Sequence, residues 1–271
     1  MALAPITNYD QIELDLAKKY AETWQETCDL KAFLFHRNDI ECILSEKNAI
    51  AVRFYMGIKE EGDTKCPDMM VVGVYSNNED IIITGPKSIG PNDEIRTGIY
   101  NFTMPCPRTC DFDSELYFET GPEIIGSQNC APRDGNRTPS TDSYCNIEGF
   151  QIGLIDAVKS TTAWQTLFNL KSVLFKKEDL TEIFAQLEAN DIRVYFGLDE
   201  TGTERIILVG VDENGSDIFK EICEGENCDH EDCTGENCEV LIENLYINSS
   251  SLCTKESLTT CDESSELYHK V

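Results

Sequence analysis

Apolar side chains recur along this chain in two rhythms, and the same succession of rhythms occurs twice. Residues 9–28 place Ile12, Leu16, Tyr20 and Trp24 four apart with Ala17 and Ala21 beside them, one apolar stripe of an α-helix. Residues 150–168 follow that pattern less cleanly. A short strand comes next, Ala32–Phe35 in the first copy and Ser172–Phe175 in the second. A second helix follows. Glu178 and Asp179 open it in the second copy, where Leu180, Ile183, Phe184 and Leu187 form its inner face, and Ile40, Ile43 and Leu44 repeat that face in the first. Alternation of period two then marks a hairpin, residues 53–58 with 69–74 and residues 193–198 with 206–211, each turned by acidic and glycine residues. A late extended segment carries Ile99-Tyr100 or Leu245-Tyr246. The order α-β-α-β-β with an edge element predicts the α+β class: two homologous units, each a small, mostly antiparallel sheet with about two helices on one face.

The repeat is legible residue by residue. Trp24-Gln25 recurs as Trp164-Gln165, Lys31 as Lys171, and Arg53, Tyr55 and Gly57 as Arg193, Tyr195 and Gly197. Past a slightly longer first hairpin, Val72-Gly73-Val74 recurs as Val209-Gly210-Val211, and Asn77 and Asp80 as Asn214 and Asp217. Thr109-Cys110-Asp111 and Ser114-Glu115-Leu116-Tyr117 return as Thr260-Cys261-Asp262 and Ser265-Glu266-Leu267-Tyr268. The expected organisation is unit one at 8–117, an irregular linker at 118–149 rich in Gly, Pro, Ser, Thr and Asn, and unit two at 150–268 with a Cys-rich acidic insert at 221–240. Cys130 and Cys145 are candidates to tether the linker.

Lys31-x-x-Leu-Phe, the Arg-x-Tyr-x-Gly strand, the Val-Val-Gly-Val strand with its acidic Asn turn, and Cys106-Pro-x-x-Cys110 together resemble small hypothetical proteins of Bacteroidota, each about one unit long. That group carries no established activity, so the resemblance supports the unit boundaries and implies no catalytic residue. The doubling and the Cys-rich insert depart from it.

Charge narrows the partners. Fifty acidic against 22 basic residues give a formal charge of −28, which opposes binding to nucleic-acid phosphates and to anionic lipid. No apolar run is long enough for a transmembrane helix, so membrane insertion is not expected. The N-terminus lacks a basic start and a long apolar core, so it does not read as a signal peptide and points to the cytoplasm. Thirteen Cys point the other way, to metal binding or to an oxidising compartment reached by a non-classical route. Asn101, Asn136, Asn214 and Asn248 begin N-x-Ser/Thr patterns, read as chance matches.

Three constellations carry possible chemistry. Cys223, Cys228, Cys233 and Cys238 recur every five residues with His230 among them. They read as a disulfide-stapled loop or as a metal site, for which zinc is the candidate, although the spacing is not that of a zinc ribbon. Cys106 with Cys110 and Cys253 with Cys261 are expected to form one local disulfide per unit, with a shared four-Cys metal site as the sharper alternative. Arg53 and Tyr55 with Lys31, and Arg193 and Tyr195 with Lys171, would present a cationic fork and a hydroxyl to a carboxylate or phosphate. The plainer reading is that each Arg pairs with an acidic helix residue at the surface while the Tyr packs. Cys28 stands where the second copy has Phe168, a packing position.

Nucleophile elbow, P-loop, dinucleotide and paired-His motifs are all missing. The sequence therefore reads first as a non-catalytic interaction or assembly protein with a protein partner or self-assembly. A metal-binding protein using residues 223–238 and an enzyme acting on an anionic small molecule at the Arg/Tyr faces are the alternatives.

Overall fold

The computed structural model describes residues 10–12, 14–45, 48–61, 64–85, 89, 95–102, 104–106, 109–118, 145, 147–187, 189–219, 221–224, 239–242, 245–247, 252–254, 265 and 267. The first half runs β1 (Asp10–Gln11), α1 (Leu14–Gln25), β2 (Ala32–His36), α2 (Arg37–Ser45), β3 (Ala51–Glu61), β4 (Thr64–Val74) and β5 (Ile99–Asn101). The second runs α3 (Leu154–Gln165), β6 (Leu170–Lys176), α4 (Lys177–Leu187), β7 (Asp191–Leu198), β8 (Glu204–Val211), β9 (Glu221–Glu224), β10 (Glu239–Ile242), β11 (Leu245–Ile247) and β12 (Leu252–Thr254). Helices with antiparallel sheets make this an α+β protein, in the expected element order.

The halves do not form separate sheets. One five-stranded sheet has the order β1-β11-β8-β7-β2 and the other β12-β6-β3-β4-β5. Strand β2 leaves the first half to pair with β7, Ala32 opposite Tyr195 and Phe35 opposite Ile192, while β6 leaves the second half to pair with β3, Val173 opposite Phe54. The boundary expected between units is therefore a boundary in sequence only. Each hairpin has one long edge left to fill, and the strand that fills it belongs to the opposite half. The exchange is reciprocal down to the edges: Gln11 pairs with Tyr246 as Gln151 bridges to Tyr100, and Cys253 pairs with Ser172 as Pro105 bridges to Phe33.

Alternation along the strands sorts the two faces of each sheet. Val52, Phe54 and Met56 of β3 and Val194 and Phe196 of β7 point into one shared core. Phe35 meets Phe54 edge-on at 4.8 Å between ring centroids, and both indoles approach Phe196, Trp24 at 5.1 Å and Trp164 at 5.9 Å. Ile40, Ile43 and Leu44 of α2 and Leu180, Ile183 and Phe184 of α4 close this core. The opposite faces lie under α1 and α3: Ala17 and Ala21 pack with Tyr195, Ile207 and Val209, and Ala157 packs with Tyr55, Met70 and Val72. Two helices on one face is thus corrected to one helix on each outer face and two at the central core.

Small residues explain the close approach. A Cβ on Gly197 would sit 3.0 Å from the Cβ of Tyr20, and one on Gly57 would fall on Ser160 Oγ. This is the role of the glycine in the Arg-x-Tyr-x-Gly strand. It also rotates the expected stripe of α1: Ala17, Ala21 and Trp24 face inward, while Leu16 is 37% exposed.

The exchange predicts that the halves cannot part. A chain cut at an engineered protease site near residue 135 and then reduced should elute from gel filtration as one folded particle, matching the uncut chain. Separation into two folded halves under native conditions would contradict the pairing of β2 with β7 and β6 with β3.

Candidate functional site

Arg53 and Arg193 are fully buried, which a guanidinium tolerates only with a counter-charge and acceptors for most of its donors; the Nη groups of each find them, and Nε of each has no hydrogen-bond partner among the described residues. Both halves solve this in the same way. Nη1 of Arg53 pairs with Asp80, and Nη1 of Arg193 pairs with Asp217. Tyr55 donates its hydroxyl to Asp80 Oδ2 and Tyr195 donates to Asp217 Oδ2, both at 2.6 Å. Nη2 of Arg53 donates to the carbonyl and side-chain oxygens of Asn78, at 3.2 and 2.7 Å, and Nη2 of Arg193 donates to the carbonyl of Gly215 at 2.9 Å. Asn78 and Gly215 stand at φ 68° and 84°. The left-handed turn aims that carbonyl at the guanidinium, and glycine and asparagine adopt it at least cost.

The tails complete these networks crosswise. Thr109 of the first half accepts from Arg193 Nη2 at 3.0 Å, Asp111 accepts from the backbone N–H of Asp217 at 2.9 Å, and Ser114 donates to Asp217 Oδ2 at 2.5 Å. Ser265 of the second half hydrogen-bonds Tyr55. Gln25 and Gln165 hold the tails by donating to the carbonyls of Leu116 and Leu267, at 2.8 and 3.4 Å. Burial, with Asp80 beside it, pushes the Tyr55 phenol well above its ordinary value. Burial carries Tyr195 to about 12 against the opposing pull of Arg193. Burial lowers the pKa of Arg193, and the surrounding Tyr195 and acids oppose it.

These geometries place the sequence candidates. The guanidinium partners are turn aspartates under a helix, and the pairing lies inside the fold, so the expectation of a surface pair with a helix acid is corrected. Lys31 is also buried: its ammonium donates to Gln25 Oε1 at 3.2 Å and to the carbonyl of Phe118, and lies 4.7 Å from the Tyr117 ring centroid. Lys171 is 2% exposed. The groups gathered for anion recognition are thus turned inward. His36 Nδ1 is hydrogen-bonded to the acceptor Oδ1 of Asp191 at 2.8 Å, joining β2 to β7.

The cysteines divide. Cys106 and Cys110 are disulfide-bonded, as expected, with Cα atoms 4.9 Å apart. Cys145 is bonded to Cys42 of α2, a tether for the end of the linker, and Cys66 is disulfide-bonded as well. Cys28 is a free thiol in the core, raised to about 12 by burial. Cys253 lies in β12 and Cys223 in β9, opposite Val240 in the β9–β10 hairpin. Cys130, Cys228, His230, Cys233, Cys238 and Cys261 fall outside the described residues, and with them the metal-site reading and the second local disulfide. Among the described residues no group of three metal-ligating side chains occurs, and no helix is long and apolar enough to cross a membrane. The glycosylation pattern at Asn101 falls on a buried side chain that donates to Asp68 at 2.5 Å.

One feature breaks the internal symmetry. A cavity of about 720 Å³ opens between the flank of α3 and the hairpin β3–β4. Its floor holds two buried polar groups, Asp68 and Ser160, with Ser160 Oγ donating to Asp68 Oδ2 at 3.1 Å. Ile58 and Ile152 line it, and Ile95, 42% exposed, stands at its lip. The equivalent place in the other sheet carries different residues. Tyr20 stands there for Ser160, and Arg205 stands for Asp68 with Nε and Nη2 both donating to Asp199 Oδ2, at 2.9 and 2.7 Å. Strands β3 and β4 are each 11 residues long against 8 for β7 and β8, so the longer hairpin projects as the cavity wall. Sequence reasoning missed this site. Its signal was a difference between copies, whereas the search followed what the copies share.

No protein-family model, no curated protein and no solved structure matches the chain.

Two predictions follow from the buried charges. Arg53→Ala and Arg193→Ala, each of which strands an aspartate, should each cost about 3–5 kcal/mol in chemical denaturation. A loss below about 1 kcal/mol would be that of an exposed pair and would contradict this geometry. At Asp199, burial pushes the carboxyl up, but hydrogen bonds from Thr201, Thr203 and Arg205 outweigh it and hold the pKa at about 2, below its ordinary 3.8. A folded value below the unfolded one means stability that is complete above the unfolded pKa and lost as pH falls from about 4 towards about 2. Asp199→Asn should flatten the stability profile across that window relative to the parent chain.

Proposed function

We propose that this chain is a non-catalytic interaction protein, built from two duplicated halves and stiffened by disulfides, with its binding site at the cavity beside α3. The carrying observation is the contrast between what the halves share and what they do not. The shared Arg–Asp–Tyr networks are buried, mutually neutralised and interlocked with the tails, which is the signature of construction. The cavity belongs to one half, has the size of small-molecule sites and combines apolar walls with a few convergent polar groups. Exposed Ile95 and Ile155 beside it add apolar surface next to charged neighbours, as binding sites commonly do.

The test borrows the residue that the other half uses. Ser160→Tyr should place a ring in the cavity, at the position where the other half carries Tyr20. The neutral dye N-phenyl-1-naphthylamine should show saturable one-site fluorescence enhancement with the parent chain, weakened about tenfold or more in the variant at an unchanged melting temperature. Equal dye binding by both would refute the cavity as the site.

A further inference from the structure

Independently of the cavity, we infer that the Cys106–Cys110 disulfide is a redox switch on the Arg193 network. A small dithiol opens it, Thr109 leaves the buried guanidinium, and the turn after β8 loosens while its counterpart after β4 stays closed. The two halves satisfy the same charge by different means. Nη2 of Arg53 finds two acceptors on one residue of its own turn, the carbonyl and the side-chain oxygen of Asn78. The equivalent residue after β8 is Gly215, which has a carbonyl and no side chain to offer. Thr109 takes the place of that missing side chain, its carbonyl accepting from Arg193 Nη2 at 3.0 Å, and it does so from the other half of the chain. Nε of Arg193 has no partner among the described residues, so loss of Thr109 leaves a further buried donor without an acceptor.

The position of Thr109 depends on the disulfide. Leu34 N–H donates to the Met104 carbonyl at 3.0 Å and Cys106 N–H to the Ala32 carbonyl at 2.9 Å, which fixes one end of the loop along β2. At the other end Asp111 accepts from the N–H of Asp217. Between these anchors the S–S bond is covalent, and Thr109 Oγ1 adds a hydrogen bond to the Met104 carbonyl at 2.8 Å. One such hydrogen bond contributes little against the conformational entropy of a freed loop. The two sulfurs differ in access: Cys106 is fully buried and Cys110 is partly exposed. One thiolate of the dithiol therefore attacks Cys110 Sγ. The S–S bond breaks, and Cys106 Sγ leaves with the bonding electron pair and takes up a proton. The second thiolate then attacks the reagent's own sulfur in the mixed disulfide and releases Cys110, which takes up the other proton. Two electrons pass from the dithiol, which becomes a disulfide, to the cysteine pair, and the two protons are those the dithiol gave up.

Hydrogen–deuterium exchange of the full-length chain, with and without dithiothreitol, reads the two turns separately. Once alkylation and mass mapping show Cys106 and Cys110 reduced, residues 212–218 should exchange at least about tenfold faster, and residues 75–81 should change by less than about twofold. Cys106→Ser combined with Cys110→Ser should reproduce that pattern without reductant, which separates this bond from Cys42–Cys145. Gly215→Asn supplies the acceptor that the first half uses. Asn78 already stands in the same left-handed region, and nothing lies within 4 Å of a Cβ placed on Gly215. In that variant reduction should leave residues 212–218 within about threefold of their oxidised rate. The switch is overturned if Cys106 and Cys110 stay bonded in dithiothreitol under native conditions. It is equally overturned if residues 212–218 keep their parent rate in the double serine variant, or if residues 75–81 loosen as much as they do. A Gly215→Asn chain whose turn still loosens about tenfold on reduction overturns Thr109 as the link between disulfide and turn. Where Gly215→Asn folds poorly, the double serine variant against the parent chain decides.

Discussion

Burying a guanidinium twice is the constraint from which much of this architecture follows. Arg53 and Arg193 sit on the sheet faces that α1 and α3 cover, where water cannot complete their hydration. Each meets an anion and finds acceptors for its Nη groups, which offsets the cost of burying the charge. The turn after β4 or β8 meets that demand by bringing an aspartate and a left-handed residue back over the strand. At Arg193 the demand extends further, to Thr109 and Asp111 of the first half, so the tail of one half becomes part of the interior of the other. The Cys106–Cys110 disulfide closes the loop that presents Thr109, which places a crosslink at a segment on which the buried Arg193 depends. A buried ion pair is weak evidence of net stability, because the desolvation of both charges offsets their attraction. Its value here is in uniqueness: a hairpin carrying Arg and Tyr on one face cannot bury them except against its own turn.

Strand exchange follows the same economy at the level of sheets. A hairpin alone is marginal, and three strands with a covered face are the minimum for stability. In each half the helix–strand segment, α1–β2 or α3–β6, crosses to the opposite hairpin and contributes both an edge strand and a covering helix. Trp24 and Trp164, which donate to the carbonyls of Leu30 and Leu170 at the same 2.6 Å, fix the point where each helix turns into its exchanged strand. Both indoles then share Phe168 and Phe196 in the common core. Neither half holds a complete core of its own, which removes the exposed strand edges that two separate units would carry.

What was legible in the sequence follows from which interactions are local. Helices, hairpins and the alternation of Arg53, Tyr55 and Gly57 against Phe54 and Met56 are written in spacing, and the structure reproduces them. The aspartates were also in view, since Asp80 and Asp217 recur at matching places after matching strands. Their pairing with the Arg was not read, because spacing along a chain does not say that a turn folds back over its own strand. Strand exchange was not legible at all. Ala32–His36 and Leu170–Lys176 carry nearly the same apolar pattern, and a pattern specifies a face and a register without naming which of two similar hairpins receives it. Burial of Lys31 and Lys171 was likewise missed, because a lysine at a strand start ordinarily keeps its ammonium in water.

The differences between the halves carry information of another kind. Positions alike in both halves answer to the fold, and positions that differ show where it tolerates change. Cys28, which is buried, stands for the partly buried Phe168. Ser160 for Tyr20 is not of that kind. It buries a polar hydroxyl against a glycine of the strand, which costs stability unless the hydroxyl is satisfied. Asp68 satisfies it, and Asp68 itself stands where the other half has a cation. Two changes that each cost stability alone are mutually supporting together, and they lie beside the one hairpin that is longer than its counterpart. Both residues line the cavity beside α3, so this difference between the halves falls at a single place in the fold.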